Sequence, residues 1–171
     1  MLKGESIFLR ILSPGDVDEK YLNWMHDDDV VQHLESRWRS YSIEDLKEYV
    51  RIVNLSQRDV FFGIFVIKTG EHVGNIKIGN IDQIHRFADV GLLIGEASAR
   101  GKGYGTEAIL LACQYAFEDL NLNKIVAGIY AINVGSFKAF LKAGFREVGR
   151  LHRHRFCKGE YVDEILVEKC R

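Results

Sequence analysis

Between Val90 and Ala108 the chain reads VGLLIGEASARGKGYGTEA. This is a short apolar strand from Val90 to Ile94, a loop carrying Gly95, Gly101, Gly103 and Gly105, and the opening of an amphipathic helix. Glycines at 101, 103 and 105 let the backbone approach a ligand closely and reach φ > 0 without a Cβ penalty. The amides they free stand at a helix N-terminus, where unpaired N–H groups and the macrodipole favour an anion. Arg100 and Lys102 add two cations to the same turn. The chemistry on offer is a cradle for a phosphate or pyrophosphate. A tight loop with solubilising basic residues is the plainer explanation, and three alternating glycines running into a helix weigh against it.

Three phosphate-binding patterns compete for this loop. A Walker A loop fails, because Glu96 stands where its first glycine belongs and Gly103 where Ser or Thr should follow Lys102. A dinucleotide fingerprint is closer, since Gly103-Tyr-Gly105-Thr-Glu-Ala108 fits G-x-G-x-x-A. That reading also wants an acid at the end of the next strand, and the run Lys124 to Tyr130 ends in Ala131, Ile132 and Asn133. The third pattern is Arg100-x-x-Gly103-x-Gly105. Elsewhere, His152 and His154 alternate along one β-rich run and could pair on a metal, but no third ligand accompanies them. Histidines alternating at a surface with Arg153 and Arg155 are the better account.

Composition bounds the function classes. A chain of 171 residues with 47% hydrophobic and 27% charged residues is an ordinary globular domain, and one domain spanning 1–171 is expected. A formal net charge of −1 argues against nucleic-acid binding through bulk electrostatics. Cys113, Cys157 and Cys170 are odd in number and lack C-x-x-C spacing, so neither a disulfide framework nor a zinc site is expected. The first residues, MLKGESIFLRIL, are interrupted by Arg10 and do not read as a signal peptide. No run approaches the roughly 18 apolar residues of a membrane span. The expected location is cytoplasmic.

The elements that must position the loop follow from periodicity. Ile7 to Leu12 reads as a strand, and Ser13-Pro14-Gly15-Asp16 as a helix start burying Val17, Tyr21 and Leu22 or Trp24. His26-Asp27-Asp28-Asp29 breaks that helix and caps a short one through Val31 and Leu34. Ser42-x-x-Asp45 is a second capping box, ahead of Ile43, Leu46, Tyr49, Val50 and Val53 at helical spacing. Phe61 to Ile67 and His72 to Ile78 form a hairpin around Lys68-Thr69-Gly70-Glu71, and Ala88 to Ile94 enters the loop. Ile109, Ala112, Cys113, Ala116, Phe117 and Leu120 line one helical face, and Lys124 to Tyr130 is a strand. Asn133 caps a helix with Phe137, Phe140 and Leu141 that stops at Gly144. Phe145 to Phe156 and Tyr161 to Glu168 close the chain around Lys158-Gly159. The order β-α-α-α-β-β-β-α-β-α-β-β predicts a mixed α/β fold. About seven mostly antiparallel strands are expected, with one parallel β-loop-α-β crossover and helices on both faces.

With that order, the sequence resembles the GCN5-related N-acetyltransferases (GNAT), in the branch of the ribosomal-protein and spermidine acetyltransferases, over essentially the whole chain. The residues that carry the likeness are Leu9-Arg10, Trp24, Val73-Gly74-Asn75-Ile76, the loop Arg100 to Thr106 with Glu107-Ala108, Asn133-x-x-Ser136, Lys142-Ala143-Gly144-Phe145 and Gly159-x-Tyr161-x-Asp163. The resemblance implies transfer of an acetyl group from acetyl-CoA, as co-substrate, to an amine, with no metal. It places the cofactor arm along Leu92, Leu93 and Ile94. The pyrophosphate falls on the amides of Arg100, Gly101, Lys102, Gly103, Tyr104, Gly105 and Thr106, and Asn133 bonds the arm. Many relatives carry a tyrosine acid where this chain has Phe140, which cannot donate a proton. Ser136 matches a serine some of the branch use near the sulfur and becomes the candidate acid, although a helix first-turn residue without chemistry fits as well.

His85 and Asp89 are the candidate bases, with water alone as the alternative. For the acceptor, Asn75-Ile76-Lys77-Ile78-Gly79 with His85-Arg86-Phe87-Ala88-Asp89 resembles acetyltransferases that act on amino sugar nucleotides, which implies that Arg37, Arg39, Lys77 and His85 meet the phosphates of such an acceptor. A protein N-terminus is close behind, and Asp27 to Asp29 suit a polyamine. A non-catalytic acyl-CoA-binding module is the competing class, motivated by Phe140. The partner expected is a small amine or a protein N-terminus, with no nucleic acid and no membrane, and homodimerisation is left open.

Overall fold

The computed structural model describes residues 1–171. One eight-stranded sheet is built from β1 (Leu2–Lys3), β2 (Ile7–Ile11), β3 (Val60–Val66), β4 (His72–Asp82), β5 (Phe87–Ile94), β6 (Lys124–Tyr130), β7 (Arg146–Cys157) and β8 (Glu160–Cys170). Its order is β1-β2-β3-β4-β5-β6-β8-β7. Only β5 and β6 run parallel; every other neighbouring pair is antiparallel. The helices are α1 (Glu19–His26), α2 (Asp28–Val31), α3 (Ile43–Leu55), α4 (Tyr104–Glu118) and α5 (Val134–Lys142).

The sheet separates two cores, and β3 shows why. Its unbroken apolar run is buried on both faces, as a central strand requires. Phe62 and Ile64 pack into one cluster with Ile109 and Ala112 of α4 and Phe140 of α5. Phe61 and Phe65 pack into the other with Tyr21 and Trp24 of α1, Val30 and Val31 of α2, and Leu46 and Val50 of α3. The small residues Ala108, Ala112 and Ala116 are fully buried and let α4 lie close on the sheet.

Three details depart from the sequence reading. Ser13-Pro14-Gly15-Asp16 closes only a 3₁₀ turn, because the Asp16 carboxylate takes the Ser13 amide and hydroxyl at 2.7 Å and the guanidinium of Arg10. Val17 is then extended, and α1 starts afresh at Glu19, with the Asp18 carboxylate accepting from the Tyr21 amide at 2.9 Å. β4 runs past Ile78 to Asp82 through an irregularity at Asn80, whose φ is +51°. A two-residue β1 pairs with β2 and makes the eighth strand.

The functional part of the sheet is a break in its own pairing. β5 and β6 pair at only three positions, Phe87 to Asp89 against Lys124 to Val126. Beyond them β5 stays with β4 as far as Ile94, and β6 stays with β8 as far as Tyr130. Each strand keeps its outer partner and loses the inner one, so the two splay. On the side that β6 leaves, backbone groups along Val90–Ile94 face the gap instead of a strand, apart from the Ile94 carbonyl, which Arg100 bonds.

Candidate active site

The splay opens a cavity of about 560 Å³ that runs through the sheet. On the α4 side it is bounded by Leu92 and Ile94, the glycine loop and the first turn of α5. On the other side it is bounded by α2 and the residues that follow it.

The loop end is built from backbone. Gly101 and Gly103 have φ of +73° and +85°, a conformation that an L side chain rarely adopts. Gly105 lies inside α4 without a positive φ. A Cβ there would make ordinary contact with the Leu92 side chain at 3.4 Å, so this glycine is not required by the backbone. The amides from Gly101 through Thr106 donate to no acceptor in the protein. The first that does belongs to Glu107, bonded to the Gly103 carbonyl at 3.0 Å. Free amides at the start of a 15-residue helix form a concentrated anion site. Arg100 closes the loop, its Nε donating to the Ile94 carbonyl at 3.2 Å. Across the cavity, the Asn133 side-chain Oδ1 accepts from the Ser136 amide at 3.2 Å, while the Ser136 hydroxyl has no partner within the protein.

The opposite end is built from side chains far apart in sequence. Asp29, Gln32, His33 and Leu34 line it from α2 and the following turn, and Tyr130 lines it from the end of β6. The Tyr130 hydroxyl donates to Glu35 at 2.6 Å and accepts from Arg37 at 2.9 Å. Arg37 also donates to the carbonyls of Leu34 and Phe156, and its guanidinium stacks 4.3 Å over Trp38. Arg155 joins Glu35 at 3.1 Å to the buried Glu164 at 2.7 Å. Gly128 makes room for that carboxylate: a Cβ there would lie 2.1 Å from Glu164 Oε1. Burial, then the bond to Glu35, raises the Tyr130 phenol. The Glu164 contact raises the Arg155 guanidinium against the effect of burial. Burial first, then the charges of Lys158 and Arg37, lower the His33 imidazole.

The residues singled out from sequence divide sharply. Leu92, Leu93, Ile94, Arg100, Gly101 and Gly103 all line this one cavity, as do Tyr104, Gly105, Thr106, Asn133 and Ser136; Lys102 is exposed on the loop outside it. Phe140 lines it too, 2% exposed and packed edge-on against Phe145. The candidate bases lie elsewhere. Asp89 accepts from Asn80 Nδ2 at 2.5 Å, close to Gly79, and His85 is exposed in the β4–β5 turn, its amide on Asp82. Lys77 pairs with Asp59 at 3.4 Å beside α3. Arg37 reaches the acceptor side but holds the wall together instead of lining it. Arg39 is exposed just past the 3₁₀ turn Glu35–Trp38. His152 and His154 take separate acids, Asp163 at 3.3 Å and Glu164 at 3.4 Å. His33 and Tyr130 went unnoticed in the sequence.

No helix is long and apolar enough to cross a membrane. The sequence profile of the acetyltransferase (GNAT) domain matches residues 6–146. Among curated proteins, the chain is 30% identical to the probable N-acetyltransferase YjcK of Bacillus subtilis, covering 98% of this chain and 95% of that one. It is 28% identical to a spermidine N(1)-acetyltransferase of Vibrio cholerae, covering 91% and 87%. Among solved structures, a Vibrio cholerae spermidine N-acetyltransferase in complex with CoA and spermine superposes with a TM-score of 0.85 at 24% identity, over 96% of this chain and 95% of that one. A GNAT-family acetyltransferase from Bacillus anthracis superposes at 0.83 and 22% identity, over 99% and 97%. The eight-stranded sheet with one parallel pair is the fold of these enzymes, and the chain belongs to the acetyltransferase (GNAT) family.

Proposed function

We propose that the protein transfers the acetyl group of acetyl-CoA to the primary amine of a small molecule, with the two substrates meeting inside the β5–β6 opening. The observation that carries this is the run of partnerless amides from Gly101 through Thr106 at one end of a cavity that continues to a polar, side-chain-lined end. Those amides suit the pyrophosphate, and the unpaired edge at Leu92, Leu93 and Ile94 suits the amide-rich arm of the cofactor. Asn133 is placed to bond that arm. An amine attacking the thioester carbonyl expels a thiolate, and Ser136 at the N-terminus of α5 supplies a hydroxyl and a positive helix end to it. Phe140 offers only apolar wall.

The acceptor we favour is an amino sugar nucleotide. Burial chiefly, with the charges of Lys158 and Arg37 adding to it, disfavours a further positive charge at His33, on the acceptor end of the cavity. A molecule carrying one amine together with hydroxyls and phosphates meets that field better than a bare polycation. Neither Lys77 nor His85 lines the cavity, so the phosphates fall in this reading to the two cations that act on His33, Lys158 and Arg37. A polyamine is the second reading, favoured by Asp29 on the cavity wall and by the named activity of the Vibrio cholerae relative. Thiol release from acetyl-CoA across sugar nucleotides, polyamines and N-terminal peptides tests the proposal. Turnover highest with an amino sugar nucleotide is expected. Turnover highest with spermidine would replace that acceptor, and CoA binding without turnover on any amine would favour a binding module.

A further inference from the structure

We infer that His33 is the general base of the reaction, taking a proton from the acceptor's ammonium before the amine attacks. The inference rests on the acetyl-transfer reading above. An amine is protonated at neutral pH and must lose a proton to become a nucleophile, so a base within reach of the acceptor end is useful. The carboxylate and imidazole that the sequence suggested, Asp89 and His85, do not line the cavity. His33 does, and it enters from the α2 side of the sheet, whereas Ser136 and Phe140 enter from the α5 side. An acceptor meeting the thioester between them would carry its amine past the imidazole.

The geometry leaves that ring available. Neither ring nitrogen of His33 bonds any protein atom, in contrast to His72, His152 and His154, which all have polar partners. The ring packs 5.5 Å from the Tyr130 ring at 59°, which fixes its plane without consuming a nitrogen. Tyr130 of β6 packs on it, Lys158 of the β7–β8 turn and Arg37 act on it by charge, Asp29 of α2 lines the same cavity, and Glu35 and Arg155 lie beyond Tyr130, bonded to its hydroxyl or to each other. Glu35 is held by Tyr130 and Arg155, so it is not free to draw a proton onto the imidazole. Burial, then the charges of Lys158 and Arg37, favour the neutral ring, which is the form a base needs.

The step balances as follows. The ammonium N–H bond breaks and an imidazole N–H bond forms. The freed nitrogen pair attacks the thioester carbon; the C–N bond forms and the C–S bond breaks. The nitrogen's second proton passes to the sulfur through the Ser136 hydroxyl or water, and the imidazolium returns its proton to solvent. No oxidant or metal is needed.

The test compares wild type with His33→Gln, His33→Asn and His33→Ala, following kcat/KM for the best acceptor from pH 5 to 9, with CoA calorimetry as the check on folding. Wild type should show an acidic limb at or below the ordinary histidine value of 6.5. His33→Gln should lose about a hundredfold at pH 7 and lose that limb while keeping its CoA affinity. Added imidazole should restore part of the activity of His33→Ala. Folded His33→Gln and His33→Asn within twofold of wild type, with the same acidic limb, would overturn the assignment. Should the variants not fold, the wild-type profile decides: an acidic limb from a single ionisation in the histidine range supports the role, and a kcat/KM flat from pH 5 to 9 overturns it. Wild type that releases no thiol with any amine overturns acetyl transfer itself, and His33 with it, a result distinct from an active enzyme indifferent to His33.

Discussion

The two ends of the cavity are made in different ways. The loop end is assembled from one continuous stretch, Val90 to Ala108, and its working parts are backbone amides and glycine conformations. The end near α2 is assembled from His33, Glu35, Arg37, Tyr130, Arg155 and Glu164, spread across most of the chain and joined by side-chain contacts. Backbone chemistry tolerates any side chain compatible with its conformation, so it suits a ligand that never changes. Side-chain chemistry can be rewritten one residue at a time, so it suits the substrate that differs between relatives.

Substitutions at each end should therefore separate the two substrates. The largest effect is expected from Gly103→Asp, which forces a left-handed residue to carry a Cβ and puts a negative charge beside the free amides. In steady-state thiol release, kcat/KM for acetyl-CoA should fall by more than about a hundredfold, that is roughly 3 kcal/mol. Ser136→Ala should come next, lowering kcat about tenfold with little change in KM for acetyl-CoA, as expected of a contact that strengthens only as charge develops on sulfur. Phe140→Tyr in that background checks the role from the other side, because restoring a hydroxyl on the same wall should recover part of the rate.

Glu164→Gln attacks the acceptor wall. It leaves Arg155 and the neighbouring histidine without their carboxylate, and about 2 kcal/mol of stability should be lost in urea unfolding, tempered by the partial exposure of Arg155. Activity should change through the acceptor's KM and not through that of acetyl-CoA.

The smallest effect is on pH-dependent stability. Burial lowers His72 and His33 below their ordinary 6.5, so the unfolded chain binds more protons there; stability is full above 6.5 and falls as pH drops through and below it. A second decline should start near the ordinary carboxylate values of 3.8–4.5. Arg10 holds Asp16 well below that range, and Lys124, then Arg146, lower Glu168. Urea midpoints between pH 8 and 3 should show both steps, and a midpoint that rises on acidification from pH 7 to 5 would contradict the first.

How much was legible follows the same division. The loop, its flanking strand and Asn133-x-x-Ser136 could be read because each is local: glycine spacing, a capping residue and apolar period sit within a few positions of one another. The hairpin of β3 and β4, the capping box at Ser42 and the stop at Gly144 were legible for that reason too. Ser13 misled because its capping box with Asp16 does form but opens only a 3₁₀ turn that ends at the extended Val17, and Asp18 then caps α1 afresh. Asp89 and His85 were suspected from their closeness in sequence to the loop strand, yet along β5 the cavity begins only at Val90, after the last pairing with β6. His33 and Tyr130 are separated by nearly a hundred residues and meet only because β6 carries its last residue under α2 and the turn beyond it. No spacing rule reaches that far.

The measurement that bears most directly on the two-ended cavity is CoA binding by calorimetry to wild type, Gly103→Asp and Tyr130→Phe, each verified as folded by its urea transition. Wild type should bind, Gly103→Asp should lose at least a hundredfold in affinity, and Tyr130→Phe should bind CoA within about threefold of wild type. Gly103→Asp binding as tightly as wild type, or Tyr130→Phe losing CoA as completely as the loop variant, would contradict the assignment of the two ends.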